Sequence, residues 1–359
     1  MEWNVDIAFK MAILFVKFYH YEKPPFCLII TYLNFIHVII LILSIGVGGL
    51  MKIFLKQLFS ITKVDYHWLI YFLGIRIRLK SKSPKRFLNV TTTGVTDKSR
   101  DIKIVASLTS FPERIPVVSE TIKSLLLQTL KPDVLVLWLA EEQFPNKERD
   151  LPEELLNLRQ YGLTIDWCKD IRSYKKLIPS LKKYPNDIII TFDDDIYYDE
   201  NIIENLYMSY LSNPSCIHSN RARVFYLDEL ENLCSLSAAE IYWGRFERPT
   251  FFNKITGCGG TLYPPHCLDL RVFDEEMFRK IIPTQDDVWF WAMAILKNTK
   301  IKLCASYKMQ IQTVENSQQY GLSKINAKNN IGINSLEASR LIIREFPEIL
   351  DRLKEEISC

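Results

Sequence analysis

The sequence predicts an α/β fold in which a mostly parallel, Rossmann-like sheet is flanked by helices on both faces. From residue 102 onward, short apolar strand patterns alternate with helical patterns, an order typical of parallel sheets. The apolar run at 187–192 ends directly in Asp193, Asp194 and Asp195, at the strand end where such sheets bind ligands. A long hydrophobic stretch at 26–51 precedes this α/β region.

The elements follow from hydrophobic periodicity and from turn residues. The predicted strands are 103–108, 134–140, 163–167 and 187–192, and the helices between them are 116–128, 152–160 and 173–183. Beyond the carboxylates, Asn201 and Glu204 predict a helix with a capping box. The later elements are a strand at 224–226, a glycine-rich turn at 255–265, a helix at 285–296 and a charged terminal helix at 336–359.

Composition limits the class of protein. The 359 residues are 48% hydrophobic and 12% aromatic, which is enough for a large core. A net charge of +3 is too small to favour nucleic acid, so we expect no nucleic-acid partner. The eight cysteines are scattered without a CxxC pair, as in a protein whose thiols stay reduced in the cytosol.

The segment 26–51 contains no Asp, Glu, Lys or Arg and has the length of a membrane-spanning helix. A helix that lies in the membrane interface or in the core is the alternative. More basic residues follow this segment than precede it, so the positive-inside rule predicts a membrane-associated protein whose catalytic domain is cytoplasmic, at the inner membrane.

These features predict five regions. The chain begins with a flank at 1–25 and the membrane segment at 26–51. A basic connector at 52–100 contains an alternating strand pattern at 68–80 and a polar linker at 81–100. The predicted domain at 101–345 and a helical tail at 346–359 complete the chain.

The three consecutive carboxylates predict a divalent metal site. Like charges this close together are costly to ionise unless a cation lies among them. Oxygen ligands suit Mg²⁺, Mn²⁺ or Ca²⁺ better than zinc. We therefore expect Asp193, Asp194 and Asp195 to meet a metal that also binds a diphosphate.

Two other interpretations of these carboxylates are a solvated loop and a calcium-binding loop. A solvated loop rarely follows directly on a buried strand. A calcium loop would use Asp193, Asp195, Asp199 and Glu204 at EF-hand spacing, but Tyr198 stands where the sharp turn needs glycine. A strand also precedes this loop instead of a helix.

Several motifs together resemble a known family. They are the stretch SLTSFPER at 107–114, the aspartate triplet, the GxGG loop at 257–260 and the acidic helix start at 286–289. In this combination the region 103–302 resembles GT-A fold glycosyltransferases that are family-2-like. The segment 58–80 is also similar to a leader of some bacterial surface-polysaccharide transferases.

The resemblance implies a nucleotide-sugar donor, with Mn²⁺ or Mg²⁺ held directly by Asp195 together with Asp193. Asp193 and the middle residue, Asp194, would face hydroxyl groups of the ribose or the donor sugar. The alternative for Asp194 is a hydrogen bond that supports the site. Arg114 could instead form an ion pair on the surface. Lys176 could instead lie on a solvated face of its helix. The implied donor-binding residues are Thr109, Ser110, Arg114, Asp170, Lys176, Asp193, Asp194, Gly259 and Gly260.

The acidic pair at the start of a helix completes the implied catalytic set. In similar enzymes the second carboxylate is the general base, which indicates Asp287, with Asp286 orienting the acceptor or the base. Helix capping explains acidic residues at a first turn equally well. Some relatives add a late histidine as a metal ligand, but the last histidine here, His266, precedes this pair.

We therefore expect a metal-dependent, inverting glycosyltransferase that acts on a glycan or lipid-linked acceptor in surface polysaccharide synthesis. A metal-dependent phosphotransferase is one alternative, although the sequence has no P-loop. A non-enzymatic, membrane-tethered calcium-binding protein is the other. The expectation requires that Asp193–Asp195 lie near Asp287 rather than on an outer surface bend.

Overall fold

The computed structural model describes residues 88–236, 248–304, 311–320 and 334–358, and the backbone of three strands between residues 59 and 80. It divides into two compact units, Met1–Lys82 and Ser83–Cys359. The predicted membrane segment at 26–51 lies outside the described residues. Within the described part of the chain, no helix is both long enough and apolar enough to cross a bilayer.

The first unit contains a three-stranded antiparallel sheet. Its strands are β1 (Phe59–Val64), β2 (His67–Phe72) and β3 (Ile75–Lys80), in the order β1-β2-β3. The sequence predicted one strand over 68–80, whereas β2 and β3 divide that stretch into a hairpin. Only two residues separate β2 from β3, and Gly74 is typical of so short a connection.

The second unit is built on a seven-stranded sheet with two smaller sheets beside it. Its strands are β4 (Ile104–Thr109), β5 (Val134–Ala140), β6 (Leu163–Cys168), β7 (Ile188–Phe192), β8 (Ile196–Tyr197), β9 (Ile217–Ser219), β10 (Ala222–Leu227), β11 (Leu233–Ser235), β12 (Asn253–Ile255), β13 (Thr261–Tyr263), β14 (Ile301–Leu303) and β15 (Gln312–Thr313). The main sheet has the order β14-β9-β13-β7-β4-β5-β6, and β4 to β7 are mutually parallel. Only β13 runs antiparallel to its neighbours, β7 and β9. The expected α/β class with a mostly parallel sheet is confirmed.

Helices cover both faces of this sheet. They are α1 (Ile115–Leu126), α2 (Glu153–Asn157), α3 (Ile178–Lys183), α4 (Ile202–Ser212), α5 (Glu275–Ile281), α6 (Asp286–Leu296), α7 (Ser335–Glu345) and α8 (Glu348–Ser358). Successive strand residues point to opposite faces, so Ile189 packs in the core that contains α6, while Ile188 and Ile190 pack in the core that contains α1. A strand buried on both faces reads as a continuous apolar run, which is the pattern seen before Asp193.

Two smaller sheets lie beside the main one. The strands β11, β10 and β12 form an antiparallel sheet in which Arg223 pairs with Lys254. The strands β8 and β15 form a two-stranded pair in which Ile196 faces Thr313. This pair brings the chain after residue 311 next to the aspartate triplet.

The start of the compact unit differs from the sequence-based boundary at residue 101. The second unit begins at Ser83, and part of the expected linker packs against it. Val90 is buried, the Gly94 amide donates to the Tyr161 carbonyl, and Arg100 forms an ion pair with Asp133. Long-range contacts of this kind are invisible in a short polar stretch of sequence.

Three helix predictions need correction. The Asn201 side chain does not cap α4, and Glu204 accepts a hydrogen bond from the Thr129 hydroxyl instead. The helix expected at 173–183 is a 3₁₀ turn over Arg172–Lys176 followed by α3. The terminal segment forms two helices with Pro347 between them, because proline cannot continue a helix. The second of these, α8, is part of the core rather than a loose tail, since Leu353 is fully buried.

Candidate active site

The fold brings the two acidic groups of the sequence to one edge of the main sheet. The strands β4 and β7 are parallel neighbours, so their carboxyl ends lie side by side. Ser110 follows β4, Asp193 to Asp195 follow β7, and Asp286 begins α6, which packs on the sheet. The aspartate triplet is therefore not on an outer surface bend.

Ser110 and Arg114 hold the middle carboxylate of the triplet. The Ser110 hydroxyl donates to Asp194 Oδ2 over 2.6 Å, and Arg114 Nη1 donates to Asp194 Oδ1 over 2.7 Å. Both oxygens of Asp194 thus have a protein donor, as expected of a residue that supports the site. Arg114 is only 5% exposed, which excludes the surface ion pair considered from the sequence.

The third carboxylate faces two elements that are far apart in sequence. Arg114 Nη1 lies 2.9 Å from Asp195 Oδ2, and the Gln318 side-chain amide donates to the same oxygen over 2.6 Å. The Val314 amide donates to the Asp195 carbonyl over 2.8 Å, which extends the β8–β15 pairing. Sequence analysis missed Gln318, because it lies in an irregular stretch and no local pattern marks it.

Lys176 joins the triplet to the acidic pair. Its Nζ atom lies 3.1 Å from Asp193 Oδ1. The same ammonium lies 2.8 Å from Asp286 Oδ2 and 3.4 Å from Asp287 Oδ1. Lys176 is 5% exposed, so the solvated helix face considered from the sequence is wrong. In this arrangement Lys176 binds carboxylates, and its expected contact with the donor stays a prediction.

Asp286 and Asp287 have different neighbours. Asp286 accepts a hydrogen bond from the Ser173 hydroxyl over 2.8 Å and is 6% exposed. Asp287 accepts a hydrogen bond from the Gly257 amide over 2.9 Å, and its side chain is 22% exposed. Asp287 is therefore the member of the pair that a substrate can reach.

Gly257 is the glycine of the GxGG loop that touches the carboxylates. A Cβ atom at this position would lie 2.6 Å from Lys176 Nζ and 2.9 Å from Asp287 Oδ1. A Cβ atom on Gly259 would instead meet Arg221, and Gly260 lies against Phe192 with a φ of +78°. Gly257 is therefore the glycine of this loop that lies against Lys176 and Asp287, and donor binding by Gly259 and Gly260 stays a prediction.

Burial and charge give the carboxylates different proton affinities. Burial raises the pKa of Asp193 to about 7, although Lys176 opposes this, and burial raises the pKa of Asp194 to about 6 in spite of Arg114. Burial acts on Asp287 in the same direction, but Lys176, Lys254 and the Gly257 amide together hold its pKa below the usual range. Asp287 is therefore ionised at neutral pH, as a general base must be.

A buried tyrosine supports the backbone of the triplet. The Asp193 amide donates to the Tyr198 hydroxyl oxygen over 2.9 Å, and Tyr198 is 2% exposed. Its ring packs edge-on against Phe192 with 4.7 Å between the ring centroids. The sequence assigned Tyr198 no role, because an aromatic residue after a strand is ordinary core.

The remaining residues expected to bind the donor, Thr109 and Asp170, have partners outside this cluster. The Thr109 hydroxyl donates to the Trp138 carbonyl over 2.8 Å, so it links the neighbouring strands β4 and β5. Asp170 follows β6 and lies 2.8 Å from Lys175 Nζ, which is buried. Burial raises the pKa of Asp170, but hydrogen bonds from Lys175 and the Arg172 amide outweigh this and lower it. Asp170 is thus an ionised acceptor at the same edge of the sheet.

His266 is not near the carboxylates. Its Nε2 atom lies 3.1 Å from Asn186 Oδ1, just before β7, at the end of the strand opposite the triplet. The last histidine of the sequence therefore supplies no metal ligand.

The charge of the site favours a divalent cation. The cluster contains five carboxylates and three buried cations, namely Asp193, Asp194, Asp195, Asp286 and Asp287 with Arg114, Lys176 and Lys254. The fully ionised set therefore has an excess of two negative charges, which a divalent cation would balance. Among the residues that the structure describes, no three His, Cys, Asp or Glu side chains are placed to hold a metal ion. The fit rests on the chemistry of the donors: Asp193 and Asp195 offer carboxylate oxygens, and Mg²⁺ is commonly bound by one or two carboxylates together with water and a diphosphate.

Comparison with known proteins gives similarities of structure alone. No protein-family model and no curated protein sequence matches this chain. Among solved structures, S. aureus TarS 1-349 is 8% identical with a TM-score of 0.37, and the match spans 57% of this chain and 58% of the TarS chain. The same TarS region in complex with UDP is 10% identical with a TM-score of 0.38 over 57% and 58% of the two chains.

A third similar structure is the mannosyltransferase PcManGT from Pyrobaculum calidifontis in complex with GDP-Man and Mn²⁺. It is 11% identical with a TM-score of 0.41, over 76% of this chain and 78% of that chain. At TM-scores this low the likeness carries no argument about chemistry, which rests on the residues of this chain.

Proposed function

We propose that the chain is a metal-dependent glycosyltransferase that moves a sugar from a nucleoside-diphosphate donor to a glycan or lipid-linked acceptor. One observation carries the proposal: Lys176 Nζ lies between Asp193, at 3.1 Å, and the helix-start carboxylates Asp286 and Asp287, at 2.8 and 3.4 Å. Such a transfer requires a carboxylate that binds the metal and a general base, and the proximity of Asp193 to Asp287 around one ammonium supports these two roles.

On the donor side, Asp193 and Asp195 would hold Mn²⁺ or Mg²⁺. When bound, this ion supplies a Lewis acid for the negative charge of the departing diphosphate. Arg114 and Ser110 fix Asp194, and through it the turn that carries the two ligands. Asp170 lies at the end of β6, where it can accept a hydrogen bond from the base of the nucleotide.

On the acceptor side, Asp287 would take the proton from the attacking hydroxyl. Its lowered pKa keeps it ionised, and its partly exposed side chain can reach a substrate. The hydroxyl oxygen then bonds to the anomeric carbon as the bond from that carbon to the diphosphate oxygen breaks. The proton moves to Asp287 and the electron pair leaves with the diphosphate, so a single displacement inverts the anomeric carbon. Asp286, held by Ser173 and Lys176, orients Lys176 and the base.

We extend the proposal to the location of the enzyme. The uncharged segment at 26–51 and the basic residues that follow it support a membrane-associated protein whose catalytic domain is cytoplasmic. A lipid-linked or surface-glycan acceptor fits that location. Fractionation of cells that express the full chain, followed by protease treatment of intact inner-membrane vesicles, checks it.

The test of function is a screen of nucleotide sugars for Mn²⁺-dependent hydrolysis by the full chain. We expect at least one donor to be hydrolysed, and Asp195→Asn to lose most of this rate. Asp101→Asn is the matched control, because Asp101 is exposed just before β4, at the opposite edge of the sheet. An Asp195→Asn variant as active as Asp101→Asn would refute the metal assignment.

A further inference from the structure

Lys254 is a buried cation that the proposed reaction does not use. It lies in β12, is 4% exposed, and its strongest charged neighbour is Asp287. In the part of the chain that the structure describes, its ammonium has no hydrogen-bond or ion-pair partner. Burying a charged group without a partner is costly, so such groups normally face a partner or a ligand.

Two arginines lie beside Lys254. Arg223 is its cross-strand partner in the antiparallel pair of β10 with β12, so both side chains leave the same face of this small sheet. The pairing continues towards the glycine loop, where the Thr256 amide donates to the Arg221 carbonyl over 3.1 Å. Arg221 and Arg223 are exposed, and among the described residues neither contacts a carboxylate.

This group of three cations borders the general base. Lys254 lies three residues before Gly257, whose amide holds Asp287 over 2.9 Å. Arg221 Nη1 lies 3.6 Å from Cys258 Sγ in the same loop. Burial lowers the pKa of Lys254, and Asp287 offsets this only in part. The Lys254 charge acts on Asp287 and Asp286, but among the described residues neither carboxylate forms an ion pair with its ammonium, which leaves the hydrogen atoms of the ammonium available to a ligand.

We propose that Lys254, Arg223 and Arg221 bind an oxyanion of the acceptor, so that the acceptor is a hydroxyl compound with a phosphate or carboxylate group near its reacting hydroxyl. The inference rests on the proposed function, since it places the acceptor beside Asp287. The diphosphate of the donor is not the expected occupant. The carboxylates that face Lys254 are the acidic pair of α6 rather than the triplet that would hold the diphosphate.

The test measures binding of small hydroxyl-bearing anions to the full chain by calorimetry. The probes are glycerol 1-phosphate and glycerate, which distinguish the two oxyanions, with glycerol as the neutral control. We expect at least one anion to bind and glycerol not to bind. Because a charged hydrogen bond is lost, Lys254→Met and Arg223→Gln should weaken binding about tenfold or more. Lys103→Gln is the matched control, since Lys103 is exposed at the opposite edge of the sheet.

The variants differ in their demands on folding. Lys254→Met removes a buried charge without a partner, and Arg223 is exposed, so both proteins should fold, which their thermal unfolding checks. The inference would be overturned if neither anion bound to the parent. It would also be overturned if Lys254→Met, Arg223→Gln and the control Lys103→Gln all bound the anion equally well.

Competition separates this inference from the proposed function. We expect the anion to bind equally well in the presence of saturating UDP or GDP with Mn²⁺. Displacement by the nucleotide would assign the three cations to the diphosphate and overturn the acceptor assignment. A chain that binds the anion through Lys254 but hydrolyses no nucleotide sugar would refute the transferase and retain the anion site.

Discussion

Lys176 is a residue whose environment in the fold differs from the one that the sequence around it suggests. The pair Lys175 and Lys176 reads as a solvated helix face, yet both side chains are buried and each binds a carboxylate. The segment is a 3₁₀ turn, whose side-chain directions differ from those of the expected helix. The acidic residues themselves were predictable, because a buried strand and a helix start mark their positions locally.

The general base is tested by Asp287→Asn. The amide keeps the shape of the side chain but cannot take a proton, so we expect sugar transfer to fall by about 10² to 10⁴. Binding of nucleoside diphosphate with Mn²⁺ should change little, because the metal ligands remain. Asp286→Asn is the companion variant, and we expect a smaller loss from it. If Asp287→Asn transfers sugar at the parental rate, another residue is the base.

Asp193 makes stability depend on pH. Burial raises its pKa to about 7 in the folded protein, from an ordinary value of 3.8, so between these pH values the folded state holds a proton that the unfolded state has lost. This contribution is complete below pH 4 and is lost as the pH rises towards 7. Asp193→Asn stays neutral throughout, so between about pH 4 and 7 the free energy of unfolding of the parent should fall relative to that of the variant.

Urea denaturation at several pH values in the absence of metal checks this prediction. Added Mn²⁺ should flatten the slope of the parent above pH 6, because a bound cation favours the ionised carboxylate. A stability difference between the two proteins that is constant with pH would show that Asp193 is already ionised when the protein folds.

At the scale of the element, the glycine loop after β12 lies against both the aspartate triplet and the acidic pair that begins α6. Its pattern in the sequence predicts that the backbone approaches a substrate closely, but not which glycine contacts the carboxylates. The structure assigns that contact to Gly257, since a Cβ atom there would lie 2.6 Å from Lys176 Nζ. Lys254 in the preceding strand was not predicted, because its burial depends on how β12 packs on α6.

Gly257→Ala should therefore lower activity more than stability. The methyl group would push Lys176 and Asp287 apart, and we expect donor hydrolysis to fall at least tenfold. Gly94→Ala is the contrasting variant, because its Cβ atom would meet the Leu126 backbone at 2.6 Å, away from the carboxylates. That variant should be less stable but fully active per folded molecule. Equal activity of both folded variants would contradict this role of Gly257.

At the scale of the molecule, the sequence predicted the parallel part of the sheet better than its extensions. The strands β4 to β7 follow each other with helices between them, so local periodicity is sufficient. The strands β9, β13 and β14 join the sheet out of sequence order, and β13 is antiparallel. Such pairings depend on contacts between distant residues, as does the approach of Gln318 to Asp195.

The helix α8 should be part of the cooperative fold. Leu353 is fully buried in the core on the α6 side of the sheet, so Leu353→Ala should cost about 2 to 5 kcal/mol in the free energy of unfolding. Ile357 lies on the same helix but is 60% exposed, and Ile357→Ala should change that free energy by less than about 0.5 kcal/mol. Denaturation of the two variants compares them directly, and equal effects would contradict the packing of α8.

The whole account depends on the carboxylates after β7 forming a site for a metal and a diphosphate. Thermal unfolding of the full chain with UDP or GDP, in the presence of Mn²⁺ or of Ca²⁺ alone, measures this most directly. We predict that one nucleotide with Mn²⁺ raises the unfolding temperature, that Ca²⁺ alone does not, and that Asp193→Asn abolishes the rise. A rise in the unfolding temperature with Ca²⁺ alone would contradict the proposed function. So would the absence of any rise when either nucleotide is added with Mn²⁺.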